Sequence, residues 1–242
     1  MGRGIATRRG PRQSQITPMG IAHDTVTCTL LDWQANELTD KFDQAGTNAP
    51  REIEKLALVI ANALYRRKIQ LVIDALDAPT YTGTHTIATG SAGMSVAKLL
   101  QARRTMKADD IGEMVTMFMT EEQEYDLLID SGNKFTSADF NASSGANTGD
   151  IKQGHFGYNY VLIGSGRDET ASAGGSGLPK ASTTRTCFAF VPSSTGYVEG
   201  MMEQESNYES DKLSQRSTGL LWAGSVVIDA GGIVEVLCTE TD

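Results

Sequence analysis

From Pro50 to Leu76 the chain runs without a glycine, and its one proline stands at the start. Ile53, Leu56, Ala57, Ile60, Ala61 and Leu64 recur at helical spacing, and Ile69, Val72, Ile73 and Leu76 continue the pattern. Residues three and four apart share one face of a helix, so the spacing predicts an amphipathic helix over residues 50–76. Asn48 stands where a cap is needed, Pro50 falls in the first turn, where a missing N–H costs nothing, and Pro79 follows the end. About 27 residues at 1.5 Å each make a rod roughly 40 Å long, where the mean helix has about 11–12 residues. Such a rod needs something extended to lie against. It reads either as an ordinary long core helix or, more sharply, as the spine of a flat, elongated subunit.

The other segments are shorter. HDTVTCTLL, His23 to Leu31, alternates with β-branched residues and suits a strand. Residues 77–94 are a small-residue loop, followed by an amphipathic helix from Ser95 to Lys107. Met114–Met119 is a short apolar run that suits a buried strand. Thr120 and Gln123 have capping-box spacing, so a helix opens there and ends near Gly132. Strands are expected at Tyr158–Ile163 and Thr186–Val191, with a short turn or helix near Ser193–Gly200. Residues 164–182 hold too much Gly and Ser to pack a core and read as an exposed, mobile loop. Leu220–Asp229 and Ile233–Cys238 read as strands flanking the turn signal Ala230-Gly231-Gly232. The mixed order gives an α+β fold rather than a βαβ alternation.

Charge is unevenly spread. Residues 1–12 carry Arg3, Arg8, Arg9 and Arg12 and no acid, leaving 17 of the 21 basic residues to face all 30 acidic ones. A basic arm on an acidic body suits either a nucleic-acid tail or an arm that docks on the acidic body of a neighbouring copy. Four arginines are few against a body that would repel duplex DNA, which favours docking. No run of about 18 apolar residues exists, so no membrane span is expected, and MGRGIATRRGPRQ lacks the apolar stretch of a secretory signal. Cys28, Cys187 and Cys238 have neither metal nor disulfide spacing and read as small buried residues.

The sequence offers no catalytic constellation. His23, His85 and His155 have no partner at ligand spacing, and no nucleophile elbow occurs. Gly164-Ser165-Gly166 invites a phosphate-loop reading, and with it a small nucleotide-binding enzyme built on loop 164–182. Glu169 nevertheless occupies the third glycine position, and Asp168 beside it would repel a phosphate. The acids Glu121, Glu122, Glu124 and Asp126 read as a solvated helix start, and Glu199, Glu203, Glu205, Glu209 and Asp211 as an exposed strip. No catalytic, cofactor-binding or metal residue is assigned.

Read together, several segments resemble the major capsid proteins of tailed phages, which have the Hong Kong ninety-seven capsid fold. They are Ile16-Thr17-Pro18-Met19 with HDTVTCTLLDWQANELTDKFDQAGTN, the helix ending LYRRKIQLVIDAL, SVAKLLQARRTMKADDI, MVTMFMTEEQEYDLLID, GDIKQGHFGYNYVLIG, CFAFVPSSTGYVEG and GLLWAGSVVIDAGGIVEVLCTE. Their order and spacing cover nearly the whole chain. The resemblance implies an extended loop at residues 1–24 and a peripheral domain at 25–110 completed by strands in 199–242. It also implies an axial domain at 111–198. It further implies that Arg3, Arg8, Arg9, Arg12, Ile16 and Met19 meet an adjacent subunit. Gly164, Gly166, Arg167, Gly174 and Gly175 would lie near the symmetry axis of a pentamer or hexamer.

Such a subunit would self-assemble into an icosahedral virion shell in the host bacterial cytoplasm. It would enclose double-stranded DNA without sequence-specific binding, with portal, scaffold or decoration proteins as possible partners and no membrane or cofactor. A non-viral nanocompartment shell of the same fold is the alternative. Relatives commonly carry an arm before the extended loop, whereas this sequence begins in the stretch that resembles the loop. Some cross-link the loop through a lysine; the first lysine here is Lys41, so non-covalent stabilisation is expected. Glycine-rich loops near 83–93 and 164–177 are candidate hinges.

Overall fold

In the computed structural model the described residues are 25–40, 49–90, 92–108, 114–129, 155–164 and 177–240. In chain order the strands are β1 (Leu31–Asp40), β2 (Thr86–Ile87), β3 (Val115–Met119), β4 (Tyr158–Leu162), β5 (Lys180–Ala181), β6 (Thr184–Phe190), β7 (Thr195–Glu209), β8 (Ser214–Val227) and β9 (Ile233–Thr239). The helices are α1 (Ala49–Asp77), α2 (Val96–Ala108) and α3 (Glu121–Ile129). One sheet has the order β1-β8-β7; the other has β2-β9-β6-β3-β4, with β5 also on β6. β3 and β4 are parallel and joined across α3, β2 and β9 are parallel, and the remaining ladders are antiparallel. The fold is mixed α+β, as the element order implied.

The spine helix is 29 residues long, about 44 Å, with Pro50 as its second residue. Asn48 lies outside the described residues. The helix serves two cores. Its middle lays Leu64 and Leu71 on Leu221 and Ala223 of the smaller sheet, with Trp33 and Ala35 alongside. Its last turns sink Ile73 and Leu76 into the larger core. At the first contact the sheet must be bare: a Cβ on Gly219 would stand 2.5 Å from Ile60 Cγ2. The larger core centres on β6, whose last four residues are all buried because β9 and β3 flank it. Phe190 meets Phe118 edge to face at 4.9 Å. Each such large apolar side chain contributes about 1.5–3 kcal/mol by burial.

Thr120 caps α3 as its spacing predicted. Its N–H donates to Gln123 Oε1 at 3.0 Å, and its hydroxyl donates to the same oxygen. The predicted end near Gly132 falls outside the described residues.

Five expectations need correction. The strand expected at His23–Leu31 begins only at Leu31, because Leu31–Asp40 is the stretch that finds a partner in β8. Residues 25–30 have no ladder, and the Thr29 carbonyl instead lies over Gly224, where a Cβ would be 2.2 Å away. The turn near Ser193–Gly200 is confined to Pro192–Ser194, since Thr195 already begins β7. Ala230-Gly231-Gly232 does not close a hairpin. It is a 3-10 turn capped by Asp229 (Gly231 N to Asp229 Oδ1, 2.9 Å), and it carries the chain from one sheet to the other. The true hairpin is β7–β8, turning at residues 210–213 with Leu213 at φ 48°. Finally, the end of loop 164–182 does pack: Leu178 is buried and Lys180–Ala181 forms a strand. Loop 77–94 is likewise stitched down. His85 Nδ1 lies 2.8 Å from Ile233 O, Thr86 donates to Glu235, and Thr89 meets Thr239, which ties the candidate hinge to β9.

The two sheets are joined where two 3-10 turns lie side by side. Val191 N–H donates to Gly232 O, and Ser194 O accepts from both Ile228 and Asp229.

Candidate inter-subunit surface

Most residues the sequence singled out for subunit contact fall outside the described residues: Arg3, Arg8, Arg9, Arg12, Ile16 and Met19 in the first segment, and Gly166, Arg167, Gly174 and Gly175 in the loop. Gly164 is described. It follows β4, is exposed, and has open space where a Cβ would stand. What the structure defines is the surface such segments could meet.

The smaller sheet is covered on one side only. Strand alternation and register decide which side chains face α1. Trp33 and Ala35 of β1 face it, as do Leu221 and Ala223 of β8. The partners on the other face are therefore Asp32 with Trp222, Gln34 with Leu220, and Leu38 with Arg216. Met201, Glu203, Glu205 and Glu209 of β7 share that outer face. Trp222 is 43% exposed and Met201 41%, with Leu220 and Leu38 also open. The Trp222 ring lies across Gly200, where a Cβ would come within 2.2 Å of it, so glycine lets the indole lie flat on β7.

The acidic strip is real but split. The register shifts between Glu199 and Met201. A bulge adds one residue and flips the alternation, so Glu199 faces α1 while Glu203, Glu205 and Glu209 face outward. Glu199 is engaged by Lys68 of the spine helix at 2.8 Å, and that hydrogen bond holds its carboxyl below the usual range. Glu209 pairs with Arg216 at 2.8 Å. Glu203 and Glu205 stay on the open face, with Asn207 beside Glu205 at 3.4 Å.

The acids at the start of α3 are not simply a solvated face. Glu124 is buried, and Asp126 accepts from Met94 N at 3.1 Å. The sequence reading also missed a buried polar knot at the foot of loop 164–182. Glu240, 1% exposed, accepts from Arg185 Nε at 2.7 Å and Nη2 at 2.9 Å, and from Gln123 Nε2 at 2.9 Å. Lys180 Nζ lies 3.0 Å away. Burial alone would raise the Glu240 pKa, but these donors outweigh it and hold the carboxyl at about 2. Arg185 also donates to Leu178 O, and Gly177 N donates to Gln70 Oε1 on the spine. The loop's return is thus fixed to both the sheet and the helix. A second buried cation, Lys98, donates to Ala92 O, Gly93 O and Leu237 O, each at 2.9 Å. Neither knot was legible, because each closes through a partner more than 50 residues away, Glu240 for Arg185 and Leu237 for Lys98, and such partners leave no local spacing.

Among the described residues no cluster of His, Cys, Asp or Glu could hold a metal. Among them, too, no helix is long and apolar enough to cross a membrane. Cys187 and Cys238 are buried neighbours on β6 and β9, and their mutual hydrogen bond, with burial, pushes the Cys187 thiol up. Among the described residues the arrangement offers a broad, half-apolar, acidic face, the kind of surface that binds another protein.

Solved structures share the fold. The chain is similar to a structure from Mycobacterium phage Che8, at 21% identity and a TM-score of 0.65, covering 93% of this chain and 76% of that one. It is also similar to the capsid of Ralstonia phage GP4, at 12% identity and a TM-score of 0.66, covering 97% and 81%. The SrpI encapsulin of Synechococcus elongatus PCC 7942 shares the fold more distantly, at 10% identity and a TM-score of 0.53, covering 86% and 73%. At such identities the likeness shows the fold alone, and capsid and encapsulin share it. No curated protein matches the chain. The sequence itself decides the matter, because residues 1–240 match the phage capsid protein family. The chain belongs to that family. It is a phage major capsid protein, a non-enzymatic subunit of the icosahedral shell, and its place is the virion.

Proposed function

We propose that the subunit builds the shell through pentamers and hexamers around the double-stranded DNA of a tailed phage. In this reading the peripheral domain is the spine helix with β1, β7 and β8, and the axial domain is built on the larger sheet. That division departs from the boundaries suggested by the sequence, 25–110 with 199–242 against 111–198, in that β2 and β9 pair within the larger sheet and α2 packs on its core. Loop 164–182 then stands near the symmetry axis, with its foot fixed by Arg185 and Glu240. Residues 1–24 form the extended loop and are ordered by sister copies, through Arg3, Arg8, Arg9, Arg12, Ile16 and Met19. Portal, scaffold or decoration proteins join the same shell.

The observation that carries this reading is the one-sided sheet. A peripheral unit that leaves Trp222, Met201 and Leu220 in solvent is complete only when something lies on it. Many weak contacts suffice, because closure of each raises the effective concentration for the next. The acidic body encloses DNA without gripping it. Deleting residues 1–24 and imaging by negative stain tests the proposal. Loss of closed shells from subunits that remain folded is expected, and normal shells would refute it. Tight duplex binding by the isolated subunit at physiological salt would refute the view of the interior.

A further inference from the structure

We infer that the end of the spine helix is an acid-tightened joint: Asp77 of α1 and Glu235 of β9 are held at one spot against their mutual repulsion, and the helix settles more firmly on the larger sheet as they take up protons.

Placement is the first argument. Ile73 and Leu76 are buried in the larger core, and Asp77, the next residue, is carried down with them. Tyr81 closes the turn behind it, its hydroxyl donating to Leu76 O at 2.6 Å. From the sheet, Thr86 of β2 stands in register with Glu235 and donates to its Oε2 at 3.2 Å. Packing and hydrogen bonds from three segments thus bring the two carboxylates together.

Charge is the second argument. The spine has no base in its last turn, where the negative end of the helix dipole would favour one. It has Asp74 and Asp77 instead. Asp74 is engaged, by Gln70 Nε2 at 2.7 Å and Arg67 Nη2 at 3.8 Å. Among the described residues no donor reaches Asp77, and Thr86 is the one that reaches Glu235. Of the groups on neighbouring elements, His85 turns Nδ1 to Ile233 O, Phe188 of β6 stands opposite Glu235, and α2 sends the Thr105 hydroxyl to Thr84 O. The charges acting on Asp77, Glu235 and Tyr81 are those of Asp74, Asp77 and Glu235 themselves.

Proton uptake follows. Burial, and then the charge of Asp74, pushes the Asp77 carboxyl up. Burial also pushes Glu235 up; the Thr86 hydrogen bond opposes this and the charge of Asp77 adds to it. Both carboxyls therefore bind protons more readily in the folded chain than in the unfolded one. The repulsion is complete above the raised values and gone below the ordinary ones, 3.8 and 4.5, so the joint strengthens as pH falls. Burial and the same carboxylates hold the Tyr81 hydroxyl at about 12, so it remains a donor throughout. Because the spine reaches both cores, the joint sets how firmly the smaller layer is carried on the larger one.

The test uses full-length unassembled subunits carrying Asp77→Asn, Glu235→Gln or both. Glu203→Gln, on the open face of β7, controls for the overall negative charge. Each single change should raise the urea midpoint at pH 7 by a few tenths of a molar. The double variant should gain less than the sum, because either change relieves the pair. At pH 3.5 the gains should vanish. In hydrogen exchange at pH 7, peptides spanning residues 73–81 should exchange about threefold more slowly in the variants, with those of β7 unchanged. Midpoints that fall, gains matched by Glu203→Gln, gains that add in full, or gains that persist at pH 3.5 each overturn the joint, as does slowed exchange spread equally over β7.

Discussion

Replacing Glu240 by glutamine keeps the shape of the buried knot and removes its only carboxylate. Arg185 and Lys180, with side chains 4% and 9% exposed, would then lose their buried counter-charge. The carboxyl sits at about 2 rather than 4.5, and at about 1.4 kcal/mol per pH unit this corresponds to about 3 kcal/mol at neutral pH. That agrees with the roughly 3–5 kcal/mol lost when one partner of a buried pair is removed. Because the folded pKa is depressed, the contribution is complete above about 4.5 and is lost as pH falls toward 2. By the same relation about 1.4 kcal/mol remains at pH 3. Urea denaturation of unassembled subunits, followed by circular dichroism, measures it. With a slope of about 2 kcal/mol per molar, Glu240→Gln should lower the midpoint by about 1.5 M at pH 7. The gap should narrow at pH 3 and nearly close at pH 2. Coincident midpoints at pH 7, or a gap undiminished at pH 2, would refute the reasoning.

Gly219→Val drives a branched side chain into Ile60 and Leu64; it should cost about 1–3 kcal/mol in the same assay, with Gly219→Ala milder. Thiol titration of native subunits should find Cys28 reactive while Cys187 and Cys238, both 0% exposed, wait for denaturant. Boiled shells should run on an SDS gel as monomers. A covalent ladder would contradict the non-covalent stabilisation expected from a first segment without lysine.

The sequence was most legible where structure is local and repetitive. The spine helix, α2, the Thr120 cap, the buried strands β3 and β6 and the edge strand β4 each announce themselves within a dozen residues. β1 was misplaced because LDWQANELTD is mostly polar: on the helix side Trp33 and Ala35 are the residues packed against the core, and the outer face asks for nothing apolar at Asp32, Gln34 or Asn36. β7 was read as a strip of acids because its outer face is solvent in the lone subunit. The bulge that turns Glu199 to the spine depends on pairing with β8, which sequence spacing does not encode. The same holds for the switch between sheets at Ala230–Gly232. A Gly-Gly signal fixes where the chain turns, and tertiary partners decide which sheet it enters.

The two cores differ in a way that bears on assembly. The larger sheet has buried residues in β2, β3, β4, β6 and β9 and is covered by α2 and the end of the spine. Between the smaller sheet and the spine helix the buried apolar set is short, Leu221 and Ala223 against Ile60, Leu64 and Leu71, and the helix also exposes Leu58, Val59 and Tyr65. So few buried side chains, at about 1.5–3 kcal/mol each, do little against the ordering cost of two strands longer than a dozen residues. The exposed apolar residues, placed on both surfaces of the same layer, are the stabilisation still missing. Neighbouring copies can supply it from each side, so the peripheral half should become rigid on assembly while the larger half is already rigid before it. Hydrogen exchange makes the distinction measurable: protection of β7 and β8 should rise on shell closure far more than protection of β6 and β9. Equal protection of the two sheets in free subunits would mean that the smaller layer stands on its own.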